Sequence, residues 1–149
     1  MDRFKTIKIL VVFYFLFGIS LALVVRASNY VQIGADEVID DDLIACGQTI
    51  VVNGKVDGDL LAFGRDITIN GEVNGTIISG GSNIDLRGKA NRSAWLAAGT
   101  VNDAGQASRN IIFFGGTLDM GKEATVSKDL IIYGGNINVA GDVAGDIKG

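Results

Sequence analysis

Apolar positions along this chain keep a register that returns every seventeen residues, six times between positions 43 and 146. The copies begin at Leu43, Leu60, Ile77, Ala94, Ile111 and Leu130; five are seventeen residues long, and the copy at 111–129 is nineteen, with two extra residues near Gly121 and Lys122. Two of them, LIACGQTIVVNGKVDGD and LLAFGRDITINGEVNGT, show the plan. Four mostly apolar residues meet a glycine, and I-x-V/I-x-G-x-V-x-G follows before an acidic or hydroxyl residue. The eighth place holds Ile50, Ile67, Ile84, Val101, Leu118 and Ile137, and the fourteenth holds Val56, Val73, Ala90, Ala107, Val126 and Val143. These two columns are the expected core ladder. The positions between them alternate with polar residues at period two, which predicts strand and not helix.

Glycine recurs at the fifth place (Gly47, Gly64, Gly81, Gly115, Gly134) and at the twelfth (Gly54, Gly71, Gly88, Gly105, Gly141). A residue without Cβ tolerates the left-handed backbone of a sharp corner, so these are expected as corner glycines. Short strands broken by such corners at a constant period predict an all-β, single-domain parallel β-solenoid of about six coils over 43–149. Each coil then stacks on the last at about 4.8 Å and turns every column into a ladder. Twenty-one glycines and no proline suit that design, because proline would remove a ladder donor from an internal coil. With 48% apolar residues recurring at a period, the composition excludes a disordered chain.

Ahead of the repeats, Arg3, Lys5 and Lys8 precede an uncharged apolar run over 9–25, and Val25, Arg26 and Ala27 offer small or branched residues where a signal peptidase reads. Residues 1–27 are therefore expected to be an apolar helix, either a signal peptide cut after Ala27 or an uncleaved membrane anchor, with the solenoid extracytoplasmic in the cell envelope. Residues 28–42 are expected as an acidic leader or N-terminal cap. Without 1–27 the chain keeps nine basic and sixteen acidic residues. That balance argues against nucleic acid as a partner.

Chemistry-bearing groups are sparse. Histidine is absent, which removes the commonest general base and transition-metal ligand. Acyltransferase solenoids need an eighteen-residue coil and typically a catalytic histidine, and polysaccharide-cleaving β-helices need long loops; this chain has none of these. No catalytic residue, cofactor site or metal site is expected. The single Cys46 is expected as a small buried apolar residue, and Asp40, Asp41 and Asp42 separate it from the leader, which argues against a lipoprotein processing box. Asp85, Asn102, Asp119 and Asn138 share the ninth place, where they form a solvated polar face or collect calcium. Asp59, Thr76, Ser93, Asn110, Asp129 and Asp146 close the copies as turn residues that hydrogen-bond nearby backbone. The fourth copy carries Ala98 for the glycine, Trp95 in the apolar run and Asp103 in an aliphatic column. A buried carboxylate is costly, so a bulge that turns Asp103 outward is expected there.

Positions one to four are apolar on both strand faces. Ile44, Leu61, Ile78, Trp95, Ile112 and Ile131 alternate with Ala45, Ala62, Ser79, Leu96, Phe113 and Ile132, and only one set can face the core. The large members Leu96, Phe113 and Ile132 are expected on an exposed interface stripe.

The cassettes DITINGEVNGTI and NINVAGDVAGDI resemble those of the bactofilins, bacterial polymer-forming cytoskeletal proteins, over 43–146. The resemblance implies a right-handed β-helix that polymerises end to end without nucleotide or metal and acts as a non-enzymatic scaffold for the envelope or cell shape. An export signal departs from the usual member and puts a cytoplasmic filament in doubt. The last strand edges of a solenoid offer an end-to-end docking surface, and because a seventh copy would start at Ile147, the chain is expected to continue in a longer protein. A second function class stays open: a monomeric stalk or binding domain that presents its polar face to cell-wall glycan, to an ion or to envelope proteins.

Overall fold

A computed structural model describes residues 9–14 and 20–149, with side chains from residue 23 onward. In chain order the strands are β1 (Ile9–Tyr14), β2 (Ser20–Ala27), β3 (Tyr30–Ile33), β4 (Val38–Ile39), β5 (Asp42–Val52), β6 (Lys55–Val56), β7 (Leu60–Ile69) and β8 (Glu72–Val73). They continue as β9 (Ile77–Leu86), β10 (Lys89–Ala90), β11 (Ala94–Asp103), β12 (Gln106–Ala107), β13 (Ile111–Met120), β14 (Thr125–Val126), β15 (Leu130–Val139), β16 (Asp142–Val143) and β17 (Ile147–Lys148). The long strands β5, β7, β9, β11, β13 and β15 pair parallel, one coil on the next, and the short strands β4 to β16 form a second parallel sheet. Pairing follows the sequence period: Leu43 meets Leu60 and Ile50 meets Ile67 seventeen residues on, while Ile111 meets Leu130 across the nineteen-residue copy. The chain is a parallel β-solenoid.

About seven turns are present, one more than the repeats suggest. The extra coil is residues 24–42: Val24 pairs with Leu43, Val31 with Ile50 and Ile39 with Val56. Its apolar residues continue the core ladder, with Val31 at 4%, Ile33 at 0% and Ile39 at 6% exposure. Residues 28–42 are thus most of a coil, completed by the end of β2. This coil is also nineteen residues long, and its two extra residues sit at the same corner as those of 111–129. Glu37 donates its amide to the Gly34 carbonyl (2.9 Å), and Ala124 donates to Gly121 (3.1 Å). One corner thus takes a two-residue insertion without disturbing the columns on either side. Of the leader expected as a helix, residues 1–8 and 15–19 lie outside the described residues; β1 and β2 pair antiparallel beyond the first coil.

Within each long strand, places one and three point inward, then the phase flips and places eight and ten point inward. The flip falls at place six, which the ladder pairs skip (Gln48, Arg65). A strand that alternates strictly cannot keep one face inside around a closed coil, so the change of phase is the corner. The core therefore holds five columns, not two. Besides places eight and fourteen, it includes the first place from Leu43 to Leu130, the third from Ala45 to Ile132, and the tenth through Val52, Ile69, Leu86 and Met120. Leu96 (1%), Phe113 (0%) and Ile132 (8%), expected on an outer stripe, belong to the third column and are buried. Places one and three both face in, which leaves places two and four to face out.

The expected ladder is otherwise found where the period puts it: Ile50, Ile84, Val101, Val56 and Val73 are at 0%, Leu118 and Val126 at 1% and Ile67 at 2%. Ile137 (38%) and the half-buried Val143 differ because only Ile147–Lys148 lies over the coil that begins at Leu130.

The corner glycines are required for a reason other than the expected one. None of Gly47, Gly64, Gly81, Gly115 and Gly134 has a left-handed φ; a Cβ on Gly64 would instead overlap the carbonyl oxygen of Gly47, and one on Gly115 would overlap that of Ala98. Glycine is selected here by the closeness of the stacked backbone below. The same holds at the twelfth place, where Gly71 lies against the Gly54 carbonyl.

Candidate interaction surface

Three features carry the surface chemistry: polar ladders, one buried carboxylate and an apolar stripe. The ladders arise because identical places stack. Asn70 Nδ2 donates to Asn53 Oδ1 (2.7 Å), Asn83 to Asp66 (2.8 Å), and Asn91 to Asn74 (2.7 Å), each seventeen residues apart. In the ninth column Asn102 donates to Asp85 (2.8 Å) and Asn138 to Asp119 (2.9 Å). Asparagine above aspartate satisfies one carboxylate oxygen with a neutral donor and keeps like charges out of adjacent rungs. The Oδ1 atoms of Asp85 and Asp119 are thus occupied by asparagine Nδ2 donors, and no group of three or more acidic or sulfur ligands gathers among the described residues.

Three of the six closing residues accept backbone amides, and they do so from the next coil and not from their own turn as expected. Asp59 takes the Thr76 amide (2.7 Å), Asn110 the Asp129 amide (3.1 Å) and Asp129 the Asp146 amide (3.0 Å). Asp42, unmarked in the sequence period, does the same for Asp59 (2.7 Å). The Asp146 amide, and then the Lys148 ammonium, hold the Asp129 carboxyl below the usual range.

Asp103 does not turn outward. It keeps ladder register between Leu86 and Met120, and it is 2% exposed. Its Oδ1 accepts the Gly105 amide (2.9 Å) and its Oδ2 has no partner. Burial pushes its pKa up to about 6, against the lowering effect of the Gly105 amide. Nine ladder pairs on β11, interrupted only at Gly99, hold the strand in register. The expected bulge is absent because shifting it would invert every inward residue of that arm.

In the first coil a second charged group, Arg26, pairs with Ala45 and so takes an inward place. Its guanidinium forms a forked ion pair with Glu37 and donates to the Gln32 carbonyl (3.2 Å). A planar fork that meets both carboxylate oxygens suits this partly buried site.

The apolar stripe is real, but it is built from the other set of residues. Places two and four face out: Phe63 (44%), Ile78 (36%), Trp95 (50%), Phe114 (47%) and Tyr133 (59%) are exposed, and Ile44, Leu61, Ile112 and Ile131 are half-buried between them. Phe114 and Tyr133 stack, with ring centroids 5.1 Å apart and planes 6° from parallel. Cys46, expected to be buried, is half-buried on this stripe as a free thiol. No charged residue stands at place two or four in any coil from Ile44 to Tyr133. The sequence showed both apolar sets; what it did not show was that place one is inward, which decides the facing.

The described residues define a parallel β-solenoid with one apolar flank and hydrogen-bonded polar ladders elsewhere. No family model, no curated protein and no solved structure matches the chain.

Proposed function

We propose that this chain is a non-enzymatic structural rod of the bacterial cell envelope that self-associates, as its resemblance to the bactofilins implies. The observation that carries this reading is the repetition of one seam. Every pair of coils meets through the same parallel register and the same five apolar columns, so a contact between copies can reuse a surface that the fold already builds six times. The coil that begins at Leu130 leaves Ile137 and Ile147 exposed at 38% and 57%. Either a further coil or a second copy would bury them. The apolar leader supports delivery across, or anchoring in, a membrane, and right-handed coiling is taken from the resemblance.

Light scattering of the full chain over a dilution series, without nucleotide or metal, tests the reading. Mass that grows with concentration and falls for Ile147→Lys is expected. A mass that stays constant over the series would leave the stalk or binding alternative in its place.

A further inference from the structure

The outer stripe has a shape as well as a hydropathy. Along place four, Gly80 and Ala97 are adjacent rungs between Phe63 and Phe114; the Phe63 ring leans over Gly80, 3.2 Å from where a Cβ would stand, so the column is notched chiefly at Ala97. Along place two the largest side chain, Trp95, stands beside that notch and not within it. In the middle coils a large residue in one column accompanies a small one in the other, Ile78 with Gly80 and Trp95 with Ala97, whereas Leu61 with Phe63, Ile112 with Phe114 and Ile131 with Tyr133 are large in both.

We propose that this stripe is a contact between two copies of the chain, lying side by side and parallel, related by a two-fold axis along the rod. That axis carries place two of each coil onto place four of the same coil in the partner. Trp95 of one copy then enters the notch at Ala97 of the other, and the contact occurs twice. An antiparallel pairing centred on the same coil would set Trp95 against Trp95 and leave both notches empty. The stripe bears no charge to repel its own image, whereas a partner of opposite charge would find nothing to recognise. Six coils at about 4.8 Å and five residues at about 3.3 Å give roughly 1,000 Å² buried in total, at the lower edge of specific interfaces. The pair is accordingly weak alone and adds up where many coils align. This contact is separate from growth at coil ends and stands without it.

Sedimentation velocity on the full chain, into the hundred-micromolar range, tests the pairing, with thermal melts as the control for folding. Trp95→Ala and Ala97→Trp each leave the melt unchanged, since both places face out, and each weakens the dimer by tenfold or more. The exchange W95A/A97W restores large against small across the axis and recovers most of the affinity. A double variant no better than either single one overturns the two-fold arrangement. So does a wild-type chain that stays monomeric throughout, or one whose stripe binds neutral lipid vesicles while the protein remains monomeric. Should Ala97→Trp perturb the melt, Phe114→Asp replaces it, and an unchanged dimer in that variant sinks the proposal. Association through the apolar leader or the coil ends is insensitive to all these substitutions, and Ile147→Lys alters end growth alone.

Discussion

Asp103 shows how a single residue can run against the ladder that contains it. Its neighbours in the column are Leu86 and Met120, and one carboxylate oxygen is unpaired. The folded state binds its proton up to a pH of about 6, whereas an unfolded carboxyl releases it near 3.8. Between those values the folded state holds more protons, so stability falls as pH rises through the window and is lowest above it. The shift corresponds to a cost on the order of 3 kcal/mol at neutral pH. Asp103→Leu is expected to raise the melting temperature by several degrees at pH 7.5 and by less at pH 4.5, as thermal melts would read. Equal gains at both pH values would mean that the carboxylate is not the source. Ile67 is the converse case. At 2% exposure in the eighth column, Ile67→Asp removes an apolar burial worth about 1.5 to 3 kcal/mol and adds a buried charge, so cooperative melting should be lost. Phe113→Asp should unfold the rod for the same reason, while Phe114→Asp, one residue on, should not.

At the scale of the coil, the close approach of stacked backbones sets the rules. A Cβ on Gly71 would overlap the Gly54 carbonyl, whereas nothing lies within 4 Å of one on Gly34. Gly71→Ala should therefore cost stability in denaturant melts, and Gly34→Ala should be close to neutral. The first coil is closed by the Arg26–Glu37 pair, so Arg26→Ala should speed amide exchange over 24–42 and leave the coils from 60 onward protected. Uniform loss of protection would contradict a local role. Much of this element scale was legible in the sequence. The period, the strand type and the eighth and fourteenth columns all follow from spacing alone, and so do three of the corner residues, Asp59, Asn110 and Asp129, though their amide partners lie in the next coil. Three things were not. The place-five glycines mark the corner but not the change of inward phase at place six, so the facing of Leu96, Phe113 and Ile132 was inverted. The coil at 24–42 was hidden because its first residues continue the apolar leader and its corner carries two extra residues. The glycines were recognised, but their reason lies in the coil below and not in their own φ.

For the whole molecule, the central claim is that a seam repeated within the chain is also the means by which chains meet. A core built from neighbour contacts has no natural size, so its ends and its apolar flank decide whether it stays single. The flank is defined by Phe63, Trp95, Phe114 and Tyr133, and the uncovered ladder by Ile137 and Ile147. Electron microscopy of the full chain, at rising concentration and without added nucleotide or metal, tests the claim most directly. The account predicts filaments that lengthen with concentration and lie side by side in pairs, with the pairs loosened by Trp95→Ala. Single short rods, one solenoid wide at every concentration, would contradict it.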